Sequence, residues 1–118
     1  MKFSDTIKKN HEFRRLYSKG KSAAAPSVVV YCRRNGRDTN RIGITVSNKI
    51  GKAVQRNRIR RRIREIYRLN EERFKRGFDI VVVARVRSRY ADYRELEQAI
   101  LNAGSRLGIL TLEKGDRR

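Results

Sequence analysis

The spacing of apolar residues in the first third of the chain predicts one helix and then one strand. Phe13, Leu16 and Tyr17 fall at positions i, i+3 and i+4, so they share one face of a short amphipathic helix. Gly20 follows this pattern and marks the end of the helix. A proline and a run of β-formers come next, which predicts a strand over residues 28–32.

A turn and a second strand are predicted immediately afterwards. The pair Asn35-Gly36 lies in the segment RNGRDTN, which is the strongest turn signal in the chain. Ile42, Ile44 and Val46 then alternate with small or polar residues, as in a strand with one buried face. We therefore expect the two strands to form an antiparallel hairpin.

Helical spacing returns after residue 51 and alternates with one more strand. A long helix is predicted from about 53 to 69. It is followed by the apolar run GFDIVVVARV, which is typical of a central strand covered on at least one face. A last helix follows, with Asp92 as its expected N-cap. Its expected core-facing residues are Tyr93, Leu96, Ile100, Ala103 and Leu107.

Together these elements predict one α+β domain over residues 1–118, with three helices packed on a small mixed sheet of about four strands. No internal repeat, low-complexity segment or interdomain linker interrupts the chain. The polar ends, about 1–6 and 113–118, are expected to be flexible.

The predicted helix over 53–69 separates an apolar side from a basic side. At about 100° per residue, the side that should face the sheet collects Ile59, Ile63, Ile66 and Tyr67. The opposite arc holds Asn57, Arg60, Arg61, Arg64 and Arg68, and the remaining flank holds Arg58 and Arg62. A flexible basic tail would not need the isoleucines, so we expect these arginines to point in fixed directions.

The net charge indicates what such a helix would bind. The chain has 31 lysines and arginines against 12 aspartates and glutamates, a formal charge of +19 at pH 7. A polyanionic partner is therefore favoured, and nucleic acid is the usual one. An anionic membrane is the main rival, but the sequence has no apolar run long enough to span a bilayer and no signal peptide. We expect a soluble cytoplasmic protein without a membrane partner.

A run of charged residues is ordinarily interpreted as a solvated helix face. Such faces, however, usually carry both acidic and basic side chains. No acidic residue occurs between Asp38 and Glu65. Like charges one turn apart cost about a few tenths of a kcal/mol per pair unless a partner neutralises them. Arginine also suits forked phosphate contacts and stacking on bases. Because the basic helix lies between strands instead of in a compact all-helical motif, the pattern favours folded RNA over the DNA major groove.

No set of residues supports catalysis by the protein alone. His11 is the single histidine and lies in a charged segment, where a surface position is expected. Asp79 has no neighbouring acidic residue with which to build a two-metal site. Cys32 lies in an apolar run typical of a buried strand. We therefore assign no catalytic residue and no metal ligand to this chain.

The stretch GITVSNKIGKAVQRNRIRRRIREIYR resembles the signature of the bacterial ribonuclease P protein subunit, whose Arg-Asn-Arg hallmark corresponds to Arg56, Asn57 and Arg58. The likeness extends to EFRRLYSKGKS, VVVYCRRNG and GFDIVVVAR in the family's order, and it covers most of residues 10–105. The triplet alone would not identify the family. Four segments in the family's order and at compatible spacings make the resemblance specific.

This resemblance implies an α/β sandwich with a left-handed crossover around the arginine helix, where general rules would favour a right-handed one. It implies a subunit of the endoribonuclease that removes the 5′ leader of precursor tRNA. Catalysis and most of the bound Mg²⁺ would belong to a large catalytic RNA. The expected partners are that RNA and precursor tRNA, with one protein chain per RNA. The alternative is a structural RNA-binding protein such as a ribosomal component.

The resemblance also implies two contact surfaces. The residues expected to contact the catalytic RNA, here called the arginine surface, are Arg56, Asn57, Arg58, Arg60, Arg61, Arg62, Arg64 and Arg68. The residues expected to line a cleft for the 5′ leader, here called the aromatic cleft, are Phe13, Tyr17, Tyr31, Thr45, Ser47 and Lys49. Stacking on aromatic rings tolerates any base, which suits leaders of differing sequence.

Asn48, which lies next to the aromatic cleft in sequence, and Tyr17 within the cleft both differ from the common family residues. Asn48 departs from the family, in which lysine is common there, so no phosphate contact is assigned to it. Tyr17 stands where phenylalanine is common, which keeps the ring and adds a hydroxyl. Phe13 and Tyr17 also fit ordinary core anchors one helical turn apart, and the sequence does not choose between the two roles.

Overall fold

One mixed sheet lies at the centre of the computed structural model, which describes residues 4–111. Its strands are β1 (Ser4–Thr6), β2 (Lys21–Ala24), β3 (Val28–Arg34), β4 (Asn40–Thr45) and β5 (Phe78–Ala84). The α-helices are α1 (Asn10–Lys19), α2 (Ala53–Asn70) and α3 (Tyr93–Arg106), and short 3₁₀ turns occupy Asn48–Ile50, Glu71–Arg73 and Val86–Arg89. The α+β fold and the three helices are confirmed, while the described sheet has five strands instead of about four.

The predicted hairpin between β3 and β4 is wrong. The strand order is β1-β4-β5-β3-β2, so β5 lies between these two strands, parallel to β4 and antiparallel to β3. The physical reason is burial, because β5 carries a nearly continuous apolar run that is best covered on both faces at the centre of the sheet. The prediction that this run forms a central strand is confirmed.

The turn after β3 lies where the sequence predicts it, but it joins strands that are not neighbours. Gly36 has a φ of 73°, a left-handed conformation that glycine adopts at low cost. The side-chain oxygen of Asn35 accepts a hydrogen bond from the Arg37 amide at 2.8 Å. The Asn35 amide donates to the Gly77 carbonyl at 2.9 Å, which ties the turn to the start of β5. Residues 35–39 therefore pass the end of β5 instead of folding straight back.

Two short edge strands have no signal in the hydrophobic pattern. β1 pairs in parallel with β4, although the sequence predicts a flexible end that includes these residues. β2 pairs antiparallel with β3 on the other side of the sheet. Both segments are short and mostly polar or small, so the neighbouring strand determines their conformation more than their own composition does. The predicted flexible tail at 113–118 lies outside the described residues, as do residues 1–3.

Helices cover both faces of the sheet. Val28, Val30 and Cys32 of β3 are buried on the face that α2 and α3 cover. Tyr31 and Val81 lie on the opposite face, against α1, because successive strand residues point to opposite sides. Cys32 is thus the buried strand residue that the sequence predicts, and burial raises the pKa of its thiol.

The apolar sides of α2 and α3 lie where the helical spacing predicts them. On α2, the side chains no more than 3% exposed are Ile59, Ile63, Ile66 and Tyr67. On α3, Leu96, Ile100 and Ala103 are buried, and Tyr93 and Leu107 pack half-buried against the same core. The Asp92 carboxylate accepts a hydrogen bond from the Glu95 amide at 2.8 Å, which confirms the predicted N-cap.

The path from β4 through α2 to β5 joins two parallel neighbouring strands. It places the start of α2 just beyond the end of β4, close to the residues that follow Thr45. The left-handed sense of this crossover stays a prediction of the resemblance.

Replacing Ile63 with alanine tests how α2 is anchored. Ile63 is fully buried, so its truncation leaves a cavity, and the free energy of unfolding should fall by about 2–5 kcal/mol. Urea unfolding monitored by circular dichroism measures this loss as a lower midpoint concentration. Val54→Ala is the control, because Val54 is 69% exposed on the same helix and should change stability by less than about 0.5 kcal/mol. Equal losses for the two variants would contradict the assignment of the buried side.

Candidate nucleic-acid interface

The start of α2 is held in place by hydrogen bonds to the turn before it. The Lys52 amide donates to the Gln55 side-chain oxygen at 3.0 Å, and the Arg56 guanidinium donates to a carbonyl of the preceding turn at 2.7 Å. The Ser47 hydroxyl accepts a hydrogen bond from the Lys49 amide at 3.0 Å, which caps the start of the 3₁₀ turn. The Arg-Asn-Arg triplet therefore projects from a fixed helix end.

The arginine surface lies on the side of α2 that faces away from the buried isoleucines. Its exposed members are Asn57, Arg58, Arg61, Arg64 and Arg68, and its half-buried members are Arg56, Arg60 and Arg62. The helical wheel drawn from the sequence therefore describes the observed helix correctly. The surface is rigid because the opposite side of the same helix is part of the core.

Three members of the arginine surface are engaged within the protein, which the sequence did not reveal. One is Arg56, through its hydrogen bond to the Gly51 carbonyl. Arg68 donates two hydrogen bonds to Glu65, at 2.7 and 3.1 Å, and these bonds hold the pKa of the Glu65 carboxyl below its ordinary value. Arg62 donates to the Ala91 carbonyl at 3.3 Å, so it helps to join α2 to the segment before α3. These guanidinium groups are less available to a partner than their neighbours are.

The other guanidinium groups are more available. Arg58, Arg61 and Arg64 are exposed, and within residues 4–111 none of them has a hydrogen bond or an ion pair with another side chain. Among the same residues, Arg60 donates only to the side-chain oxygen of Asn57, at 3.1 Å. Close cations without neutralising carboxylates are the electrostatic pattern of a surface that binds a polyanion.

The aromatic cleft forms where α1 crosses the sheet. Tyr17 and Tyr31 meet edge to face with ring centres 5.1 Å apart, and the Tyr17 hydroxyl shares a 2.8 Å hydrogen bond with the Thr45 hydroxyl. Phe13 packs so closely on Gly43 that a Cβ there would lie 2.7 Å from the phenyl ring. The structure therefore brings together four of the six residues assigned to this cleft.

Core packing and exposure are divided among the residues of α1. Leu16 is 1% exposed and packs with buried Val81, so it is the core anchor. Phe13 and Tyr31 are half-buried against this cluster, while Tyr17 keeps 39% of its surface exposed. The two roles that the sequence left open thus coexist on one helix, with Tyr17 the more accessible ring.

Ser47 and Lys49 lie beyond the aromatic rings, in the turn that follows β4. Both side chains are exposed, as is that of Asn48 between them. The Ser47 hydroxyl caps this turn by accepting the hydrogen bond from the Lys49 amide. Together these residues extend the polar end of the cleft towards the start of α2.

A cavity of about 190 Å³ lies between the aromatic cleft and the arginine surface. Phe13 and Ile44 line it from one side, and Arg60 and Arg64 line it from α2. Residues about 50 positions apart in sequence thus contribute to one continuous concave surface. A strand of nucleic acid in the cleft would lie next to two guanidinium groups.

An ion-pair network that the sequence analysis missed fixes α1 from its other side. Arg41 donates to both carboxylate oxygens of Asp79, at 2.9 and 2.7 Å, and to Glu12 of α1 at 2.6 Å. Asn35 also donates to Asp79, at 3.0 Å. No local pattern predicts this network, because Arg41 is 29 residues from Glu12 and 38 from Asp79. It holds α1 against the sheet and so helps to set the position of the cleft.

The network shifts the pKa values of its members. Burial would raise the pKa of Asp79, but hydrogen bonds from Arg41 and Asn35 outweigh it and hold that pKa below its ordinary value. The hydrogen bond from Arg41 likewise lowers the pKa of Glu12. The bonds to Asp79 raise the pKa of Arg41 further, so the guanidinium stays charged.

The described residues offer no group of three histidine, cysteine, aspartate or glutamate side chains placed to hold a metal ion. His11 is exposed at the start of α1, as its sequence context predicts. Within the same residues, no helix is long and apolar enough to cross a membrane. The groups that the arginine surface and the aromatic cleft present are guanidinium groups and aromatic rings.

Several known proteins are similar to this chain in sequence and in structure. The family model described as Ribonuclease P matches residues 1–108. The ribonuclease P protein component of Alkaliphilus oremlandii is 43% identical over 110 residues, which is 93% of this chain and 96% of that protein. The solved RNase P protein of Staphylococcus aureus matches with a TM-score of 0.82 and 34% identity, covering 90% of this chain and 97% of that one. The solved RNase P protein from Thermotoga maritima matches with a TM-score of 0.80 and 35% identity, covering 86% of this chain and 96% of that one.

Arg41→Ala tests the network that fixes α1. The loss of hydrogen bonds to two charged, half-buried groups should lower the free energy of unfolding at pH 7 by roughly 1.5–3 kcal/mol. Because the folded pKa values of Glu12 and Asp79 are lowered, the network stabilises the protein above the ordinary carboxyl pKa of about 4. This contribution disappears as the pH falls through the lowered values.

Urea unfolding at pH 7 and near pH 3 therefore provides the measurement. The difference in the free energy of unfolding between wild type and Arg41→Ala should be smaller at the lower pH. Arg94→Ala is the control, because Arg94 is exposed on α3 and should leave stability nearly unchanged at both values. A difference of the same size at pH 7 and pH 3 would count against the ion pairs as its source.

Proposed function

The chain belongs to the ribonuclease P protein family, and from this premise we propose that it is the protein subunit of the enzyme that removes the 5′ leader from precursor tRNA. The observation that carries the proposal is the arginine surface, whose available guanidinium groups stand on a helix fixed by its buried side. In this proposal the subunit binds and positions RNA.

The catalytic RNA binds the arginine surface. Arg58, Arg61 and Arg64 supply forked donors that suit phosphate oxygens. Since the backbone of α2 is already ordered, binding does not have to order the helix that carries them. Each phosphate contact releases counterions from the RNA, so assembly is expected to weaken as salt rises.

The 5′ leader of the precursor lies in the aromatic cleft. Tyr17 and Tyr31 provide ring surface for unpaired bases, and Thr45 provides a hydroxyl beside them. Stacking is worth roughly 1–3 kcal/mol per base and does not depend on sequence. The cavity shared with Arg60 and Arg64 supports a leader path that continues directly to the arginine surface.

We assign the functional Mg²⁺ to the RNA subunit and the substrate, where it supplies the hydrolytic chemistry. The protein's contribution is to neutralise phosphates close to the scissile bond, which raises affinity for the precursor and lowers the Mg²⁺ concentration required. One chain per RNA subunit in the cytoplasm is the arrangement we propose. A structural RNA-binding role, as in a ribosomal protein, is not favoured by the names of the relatives.

Binding of precursor and mature tRNA to the reconstituted complex tests the proposed role. The complex should bind precursor more tightly than mature tRNA, and adding the protein should restore cleavage by its cognate RNA at low Mg²⁺. Tyr31→Ala should reduce the preference for precursor by about fivefold or more, the loss of roughly one stacked base. Tyr31→Phe should retain it.

Two results would contradict this role. Equal affinity for both tRNAs in the wild-type complex would favour a structural RNA-binding protein. Equal losses of precursor and mature tRNA binding in Tyr31→Ala would indicate that Tyr31 acts through the core instead of the leader.

The double variant Arg61→Ala/Arg64→Ala tests the arginine surface. It should weaken binding of the RNA subunit and reduce the slope of log affinity against log salt by about 0.7–0.9 for each lost phosphate contact. Filter binding at KCl concentrations from about 50 to about 300 mM gives the slope. Arg33→Ala/Arg94→Ala removes the same charge from exposed positions outside this surface. An equal change of slope in the two double variants would mean that net charge alone is responsible.

A further inference from the structure

The segment between β5 and α3 exposes large side chains that belong to neither surface described above. Its sequence over residues 85–92 is RVRSRYAD. Tyr90 is 75% exposed, the largest value among the exposed large apolar residues of the described chain, and Val86 is 56% exposed. Three arginines alternate with them. The segment therefore combines an accessible ring with closely spaced cations.

The backbone beneath the Tyr90 ring is well anchored. Ser88 is fully buried and Ala91 is 4% exposed. The Ser88 amide donates to the Arg85 carbonyl at 2.8 Å, and the Tyr90 amide donates to the Arg87 carbonyl at 3.0 Å. Because the backbone is already ordered, stacking on a partner would have to order only the Tyr90 side chain.

The charges around Tyr90 favour a polyanion. The Arg89 guanidinium carbon lies 5.8 Å from the centre of the Tyr90 ring. Arg87 reaches Glu95 only at 3.9 Å, and both of these side chains are well exposed, so this ion pair competes weakly with a phosphate. A stacked base with its phosphates on adjacent guanidinium groups is the usual chemistry of single-stranded nucleic acid binding.

The segment is continuous with the arginine surface. Its 3₁₀ turn, Val86–Arg89, packs against α2 and against the turn Asn48–Ile50. Arg62 joins the two elements directly, through its hydrogen bond to the Ala91 carbonyl. Arg58 lies one helical turn before Arg62, on the same flank of α2. An RNA strand on this flank would reach Tyr90 without leaving a positively charged surface.

We propose that Tyr90 is a stacking platform for an unpaired base of the catalytic RNA, with Arg87 and Arg89 contacting the adjoining phosphates. This inference rests on the proposed function, because it names a further contact made by the same subunit. The catalytic RNA is the occupant, since the segment adjoins the flank of α2, whereas the aromatic cleft that receives the leader lies against α1. Docking of another protein on Val86 and Tyr90 is the competing outcome.

Binding of the RNA subunit to the full-length protein, without precursor tRNA, tests the platform. Tyr90→Ala should raise the dissociation constant at least about fivefold, the effect of losing one stacked base, while Tyr90→Phe should stay within about twofold of wild type. Arg89→Ala should reduce the salt slope by about 0.7–0.9. Arg94→Ala, also exposed near the start of α3, should leave the slope unchanged.

A photoreactive phenylalanine analogue at position 90 identifies the partner in the assembled complex. Crosslinks to the RNA subunit support the proposal, whereas crosslinks only to precursor tRNA or only to protein overturn it. An unchanged dissociation constant for Tyr90→Ala, or an equal loss for Tyr90→Phe, also overturns it while leaving the proposed function intact. Failure of the wild-type protein to bind the RNA subunit at all would overturn both.

Discussion

The burial of one side of α2 is the constraint on which the rest of the interface depends. Ile59, Ile63 and Ile66 are almost completely removed from solvent, and each such side chain stabilises the fold by about 1.5–3 kcal/mol. Repulsion between arginines one turn apart costs only about a few tenths of a kcal/mol per pair. Burial therefore outweighs repulsion, and the helix is ordered before any polyanion neutralises it. The direction of each guanidinium follows from that packing.

The position of α1 depends on two neighbouring interactions on the face towards the sheet, one apolar and one ionic. Leu16 inserts into the core at the centre, and Arg41 holds Glu12 of α1 and Asp79 of β5 on one flank. The other flank is left to Phe13 and Tyr17, which face the cleft instead of being fully buried. An accessible ring is possible here because the anchoring is done elsewhere on the same helix.

The formal charge overstates how many cations are free to meet a partner. Arg41 is committed to carboxylates within the fold, Arg68 to Glu65, and Arg62 to a carbonyl that links α2 to the segment before α3. Others, such as Arg58 and Arg61, have no comparable commitment among the described residues. Arginines engaged within the fold and arginines without such bonds thus occur together on α2, and sequence composition treats them alike.

Sequence by itself determined the features that arise from neighbours in the chain. The three helices, the turn at Gly36, the apolar strand β5 and the two sides of α2 all follow from local spacing, because periodicity and turn chemistry act over a few residues. The assignment of the aromatic cleft to the leader and of the Arg-Asn-Arg triplet to the catalytic RNA comes from the family resemblance and stays a prediction. Only the tertiary structure decided that β5 separates β3 from β4, that the polar edge strands pair, and that Arg41 joins Glu12 to Asp79. These features depend on which distant segments compete for the same core and the same hydrogen bonds, and no local pattern records that competition.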